Sequence, residues 1–295
     1  MYDEDAEPFE IPFGLGEIDY TEYTNKQLVA VPLAVLIISL TILAAATLIT
    51  GAPVDRDIDF VGGTELRIET TDSQAEIETS FEEEVAEIRP IRGESDVYVV
   101  SFTSDDTASI EDQANMAGYE VTQIQTRSPT FGASTQVQAV YGVGLAFVGM
   151  SAIVFLVFRT FVPSIAVVAS AFSDMMIPLA MMSLLDIQLS LGTVAALLML
   201  IGYSVDSDIL FNNHVLRRRG GFYESAYSAM RTGITMNLTS IVAMAVMTIV
   251  AWFFGIPLLP EIGIVLVIGL VADLMNTYML NFSLLRWYKY KGVNR

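Results

Sequence analysis

The chain has 295 residues, 53% of them hydrophobic, with a formal charge of −19 and no cysteine. Without thiols there is no disulfide framework and no thiolate metal site. No motif calls for another metal or a cofactor, and none is expected. So large an acidic excess argues against nucleic acid as a partner, and the apolar share fits a polytopic membrane protein.

Residues 1–27 carry Pro, Gly and many acids without a sustained period, and are expected to form an acidic, flexible cytoplasmic tail. The apolar run from Leu28 to Ile49 follows, giving a first transmembrane helix over 28–50; about 20 apolar residues cross a hydrocarbon core. It is too long, and its leader too acidic, for a cleaved signal peptide.

Residues 51–135 change character. Leu66 and Ile68 alternate with polar neighbours as in a half-buried strand. Ile77, Phe81, Val85 and Ile88 recur every three or four residues, which predicts an amphipathic helix over Ser73–Ile88. Strand character returns over Val97–Phe102 and Tyr119–Ile124, with a helix between them over Ala108–Met116. This order suggests a small α+β exterior domain of ferredoxin-like type. No catalytic constellation stands out in it.

Residues 136–285 hold five more apolar runs: Val137–Phe158, Val162–Leu185, Leu189–Phe211, Ile234–Phe254 and Glu261–Leu285. Arg159, Arg217, Arg218, Arg219 and Arg231 lie in or beside the links on one side, and residues 286–295 form a basic tail there. By the positive-inside rule that side is the cytoplasm, so the reading is a multi-pass protein of the cell membrane, in contact with lipid, with both termini cytoplasmic. Lys occurs only at Lys26, Lys289 and Lys291, while acids crowd both water-exposed regions. Such a surface suits concentrated salt, as in a halophilic archaeon, where screening removes self-repulsion.

The sharpest anomaly is Asp206 and Asp208 at the end of the fourth apolar run. One Asp at the centre of a spanning helix costs roughly 2.5–3.5 kcal/mol to insert, so two of them point to ion handling or to a positive partner. They stand about 200° apart on a helix and cannot both face one partner. Arg231 is the candidate counter-charge; its plainer role is to anchor the interface by snorkelling. Asp174 and Asp273 sit mid-way in the third and sixth runs, either lining a polar path or buried in protonated form. Asn237 and Asn276 read as hydrogen-bonding groups between helices, and His214 as a solvated loop residue.

Three motifs sharpen this reading. Asp59-Phe60-Val61-Gly62-Gly63-Thr64 follows the first span, and taken alone is a tight turn or a close backbone approach. Gly202-Tyr203-Ser204-Val205 opens the acidic stretch of the fourth span, and Arg231-Thr232-Gly233-Ile234-Thr235 opens the fifth. Together, in this order, they resemble the D-F-x-G-G-T, G-Y-S and R-T-x-x-T elements of the SecD/SecF family, accessory subunits of the Sec protein-export channel within the resistance-nodulation-division (RND) class. Six helices with one compact exterior domain resemble the SecF branch.

The resemblance implies an accessory subunit of protein export, not an enzyme, acting with SecD, the Sec translocation channel and the translocating polypeptide, and coupled to the ion gradient. It carries the ion-handling role to Asp206 first and Asp208 second, because the family places its carboxylate at slightly different positions in its two branches. The alternatives are an RND-type secondary transporter of small molecules or lipids, and a translocon scaffold that conducts no ions. An intramembrane aspartyl protease would need paired Y-D and G-x-G-D settings, which Gly202-Tyr203-Ser204-Val205-Asp206 does not supply.

Overall fold

A computed structural model describes residues 8–14, 16–91, 96–217, 221–254, 256 and 258–292. The first seven residues of the acidic tail, and Arg218, Arg219 and Arg295 of the basic clusters, lie outside the described residues.

Among the described residues, six helices are long and apolar enough to cross a membrane. The first, α1 (Asn25–Thr50), begins three residues before its apolar run because Thr24 and Gln27 form a reciprocal capping box. It ends where Gly51 turns left-handed at φ 81°. Ahead of it, Phe9–Glu10 (β1) pairs antiparallel with Glu17–Ile18 (β2). The expected structureless tail is therefore partly a hairpin. Its apolar residues find a surface: Phe9 packs on Tyr227 at 5.4 Å and Tyr20 on Phe282 at 4.7 Å.

Between the first and second long helices lies an α+β domain. A short helix, α2 (Ile58–Val61), leads into β3 (Gly63–Glu69), α3 (Gln74–Thr79), β4 (Val85–Pro90), β5 (Val97–Phe102), α4 (Thr107–Met116) and β6 (Glu120–Arg127). The sheet order is β4-β5-β3-β6 and every pairing is antiparallel. Leu66, Ile68, Ile77, Phe81, Val100, Phe102 and Ile110 form its core.

One element differs from the sequence reading. The helix expected over 73–88 stops at Thr79, and Val85 and Ile88 belong to β4. Val85 stands opposite Phe102 and Ile88 opposite Val100, with a register shift between Val85 and Glu87. The bulge inserts one extra residue, so two positions three apart face the same side of the sheet. A helical spacing thus conceals a bulged strand.

The bundle continues through α5 (Pro129–Phe158), α6 (Phe161–Leu185), α7 (Leu191–Arg217) and α8 (Phe222–Phe253). The last span opens as α9 (Leu259–Met275), widens into a π-helical segment over Asn276–Asn281, and resumes as α10 (Phe282–Trp287). Ser128 caps α5 and Pro129 fills its first turn, which starts that helix eight residues ahead of its apolar run. The span expected from Ile234 begins at Phe222, because Phe222, Tyr223, Ala226, Ala229 and Met230 are buried at the foot of the bundle. Most of α6, α7 and α9 is buried, whereas α1, α5 and α8 form an outer layer.

Hydrogen bonds to the α6–α7 link fasten the α+β domain to the bundle, beside the packing of α2 on the start of α5. The backbone of Asp55–Asp57 brackets Leu189 in the α6–α7 link: Leu189 N donates to Asp55 O at 2.7 Å, and Asp57 N donates to Leu189 O at 3.1 Å. Gln188 Nε2 also donates to Glu87 Oε2 at 2.6 Å.

Candidate functional site: a buried carboxyl cluster

Three inner helices bring their carboxyl groups together. Asp174 comes from α6, Asp208 from α7 and Asp273 from α9, and each is at most 1% exposed. Asp174 accepts from Ser204 Oγ at 2.6 Å and from Asn276 Nδ2 at 2.6 Å. Asp273 accepts from Asn237 Nδ2 of α8 at 2.5 Å, and both of its oxygens lie 2.9 Å from Ser207 Oγ. Asp208 accepts from Thr277 Oγ1 at 2.9 Å and from Asn281 Nδ2 at 2.8 Å. Thr277 Oγ1 is also 3.2 Å from Asp273, so one hydroxyl joins two carboxyls.

Among the described residues no Lys or Arg is in salt-bridge contact with these groups. Hydroxyls and amides do all the compensating. The π-helical segment contributes three of them, Asn276, Thr277 and Asn281. With more than four residues per turn, it keeps Asp273, Thr277 and Asn281, spaced four apart, on one inner face.

The hydroxyl protons are too few for the contacts. Ser207 Oγ has one proton but lies 2.9 Å from Ser204 O as well as from both Asp273 oxygens. Thr277 Oγ1 has one proton and two carboxyl neighbours. The cluster therefore has more acceptor contacts than hydroxyl hydrogens to fill them.

The other sequence-predicted residues lie elsewhere. Asp206 is exposed on the opposite side of α7, with Gly202 and Tyr203. Arg231 is exposed too, its side chain 70% accessible, and its ion pair is a 4.0 Å contact with Glu10. Among the described residues no ion pair joins Arg231 to Asp206 or Asp208. Asn237 and Asn276 do bond between helices, each to a carboxyl of the cluster. His214 belongs to α7 rather than to a loop, its Nδ1 3.1 Å from Leu210 O.

The first motif is a structural corner. Gly62 and Gly63 have φ of 77° and 118°, and a Cβ on Gly63 would stand 2.1 Å from the Phe102 carbonyl oxygen. Phe60 is buried, and Asp59 accepts from Arg127 Nε at 3.3 Å, which ties α2 to the end of β6.

Arg286, expected in the basic tail, is instead 3% exposed. It donates to Tyr20 O at 3.0 Å, to Tyr23 O at 2.8 Å, to Tyr223 Oη at 3.2 Å and to Asn25 Oδ1. A guanidinium has five donors in a fixed fork, which explains how one side chain fastens the N-terminal segment to both α8 and α10. Ser207, Thr277 and Asn281 were missed as site residues. For Thr277 and Asn281 the signal was a stripe of polar residues four apart with Asp273 in an otherwise apolar span; Ser207 carried none beyond standing between Asp206 and Asp208.

The description "Protein export membrane protein SecD/SecF, C-terminal" matches residues 108–291. The chain is 59% identical over 287 residues to a protein-export membrane protein SecF of Haloferax volcanii, covering 97% of this chain and all of that one. It is 57% identical to the SecF of Haloquadratum walsbyi, over 96% and 99% of the two chains. The chain belongs to the SecD/SecF family, on its SecF branch.

Its function is that of the family branch, a subunit of Sec protein export, and its acidic, Lys-poor surface is that of a halophile. A crystal structure of SecDF from Thermus thermophilus, titled a translocon-associated membrane protein, superposes with a TM-score of 0.70 at 18% identity. The match covers 92% of this chain and 38% of that one, so this chain spans about two fifths of the SecDF polypeptide and shares its fold there.

Proposed function

We propose that this export subunit is coupled to the ion gradient through the carboxyl cluster of Asp174, Asp208 and Asp273. The observation that carries this reading is the proton shortage at Ser207 and Thr277, where one hydroxyl hydrogen serves several acceptors. Burying carboxylates without a cation costs several kcal/mol per ion, so the cluster changes shape as its charge changes. One elementary charge crossing 100 mV yields about 2.3 kcal/mol, enough to shift a two-state equilibrium tens-fold. Burial supports giving this role to Asp208 ahead of Asp206.

Asp206 and Arg231 have a different place in the proposal. Both are exposed on consecutive spans at similar depth, Asp206 eleven residues before the end of α7 and Arg231 nine after the start of α8. Charged groups facing hydrocarbon are unfavourable, so this face is the one that SecD covers, with a complementary charge for Asp206, while Arg231 has its own acidic neighbour in Glu10. The α+β domain lies outside the cell and both termini inside. Its β-α-β-β-α-β order and antiparallel β4-β5-β3-β6 sheet support a ferredoxin-like domain. Acting beside the Sec translocation channel, it would engage the translocating polypeptide.

Asp208→Asn tests the coupling. The swap keeps the shape and removes the titratable group. The variant should insert and co-purify with SecD at normal levels, yet lose the part of export that depends on the ion gradient. Gradient-dependent export at the normal rate, at equal expression, would reduce the protein to a scaffold.

A further inference from the structure

A cavity of about 550 Å³ opens at the end of the bundle opposite the α+β domain. Phe158 and Thr160 of the α5–α6 turn, Val215 and Leu216 of α7, and Tyr288 and Lys289 after α10 line it. Thr160 Oγ1 is buried there without a hydrogen-bond partner. Val215 and Leu216 stand three and four residues beyond Asn212 on α7, so they continue its helix face. Asp208 stands one turn before Asn212 on the same face.

Asn212 is 0% exposed, and neither its Oδ1 nor its Nδ2 has a partner. In the same region Asp208 Oδ2 and Asn281 Oδ1 are also buried and unpartnered. A buried amide with both ends unused is costly, and the arrangement persists where water satisfies it. Asn212 stands on one face of α7 between the cavity-lining Val215 and Leu216 and the cluster member Asp208, which outlines a path rather than a packing fault.

We infer that Asn212 joins the cavity to Asp208 through ordered water, forming the half of the ion route that faces away from the α+β domain. The inference rests on the coupling role proposed above for the cluster. Asn212 acts as a positioning residue: its carbonyl accepts from one water while its NH2 donates to the next. Its two unused ends thereby extend the hydrogen-bonded chain from Asp208 Oδ2 to the cavity wall at Thr160. Monovalent cations and protons share this route chemistry, and the export experiment below uses a proton gradient alone.

The chain has no cysteine, so single-cysteine variants report cleanly. In vesicles carrying the full chain with SecD, aminoethyl methanethiosulfonate applied from the cavity side should modify Leu216→Cys and Asn212→Cys, and leave Val205→Cys unmodified. Modification at Leu216→Cys but none at Asn212→Cys would mean that water stops at the cavity, and the inference falls. Proton-driven export should slow about tenfold or more in Asn212→Leu, as expected when a proton relay is cut. It should recover in Asn212→Ser, which keeps a donor and an acceptor. Normal export in Asn212→Leu beside defective export in Asp208→Asn would also overturn the route. Modification at Asn212→Cys with normal export in Asp208→Asn would instead keep the aqueous path and remove the coupling role, so the two failures are distinct.

Discussion

At Gly63 the missing side chain is a requirement of the backbone on two counts. Its φ of 118° lies where L-residues are strained, and an added Cβ would meet the Phe102 carbonyl oxygen at 2.1 Å. That oxygen belongs to a strand paired through Val100 and Phe102 with β3, and it cannot yield without opening the sheet. Gly63→Ala should therefore cost about 3 kcal/mol or more, whereas Gly51→Ala, with open space around it, should cost about 1 kcal/mol. Limited proteolysis of the full chain across a temperature series checks the ranking; equal losses would contradict it. The same scale separates Arg286 from an ordinary tail charge. Lys at that position keeps the charge but cannot span Tyr20, Tyr23, Asn25 and Tyr223 together. Arg286→Lys should release the hairpin, read as faster hydrogen exchange over residues 9–24, with little change in the carboxyl cluster.

Among the elements, the β-sheet of the α+β domain carries the titratable part of its stability. Burial, with Asp57 nearby, pushes the Glu65 carboxyl up to about 7, against the pull of Arg89 at 3.3 Å. Burial also raises Asp57 and Glu87, and the capping bonds at Ser73 lower Glu76, which opposes the others. For Glu65 the folded state holds its proton in a window where the unfolded chain, near 4.5, has released it. The folded domain binds more protons there, so stability falls as pH rises from 4.5 to 7. Hydrogen exchange of the β3 amides should accelerate across that window, and Glu65→Gln should flatten the slope; an unchanged slope in Glu65→Gln would assign it to Asp57 or Glu87.

How much of this could be read in advance depended on what the period encoded. Val97–Phe102 is rich in β-forming residues, and the strand around Leu66 and Ile68 alternates plainly. Val85 and Ile88 did not, because a bulge gives a strand the spacing of a helix. Asp174 and Asp273 were legible as anomalies in apolar runs. Their meeting was not, since it depends on which faces of α6, α7 and α9 turn inward. Asp206 drew attention by sequence position and is exposed, while Asp208, two residues on, is buried.

Over the whole molecule, hydrophobic length settled the number of long helices, while their ends depended on caps and aromatic packing that hydropathy does not register. Thr24, Ser128 and the Phe222–Tyr223 pair each carry a helix past its apolar limit. The net charge of −19 acts at this scale as well. Its repulsion reaches ~3 Å in 1 M salt but ~10 Å at 0.1 M, so dilution should loosen the acidic regions while the apolar bundle holds. Hydrogen exchange on diluting from molar salt should rise in residues 55–127 and stay flat in α6, α7 and α9. Uniform protection at both salt levels would contradict that reading.

The clasp at Leu189 has a mechanical meaning. Its two backbone bonds grip the α6–α7 link, and α7 runs from its start at Leu191 to Asp208, about 26 Å further on at 1.5 Å per residue. A helix transmits axial displacement with little loss over such a length. If the hydrogen bonds around Asp208 rearrange and α7 slides by the rise of one residue, the clasp must travel with it or tear. The α+β domain is joined to α1 and α5 by its chain ends, packs α2 against the start of α5, and grips the α6–α7 link through this clasp and the Gln188–Glu87 bond. A longitudinal slip of one rod against the other two would therefore reach the domain as a tilt.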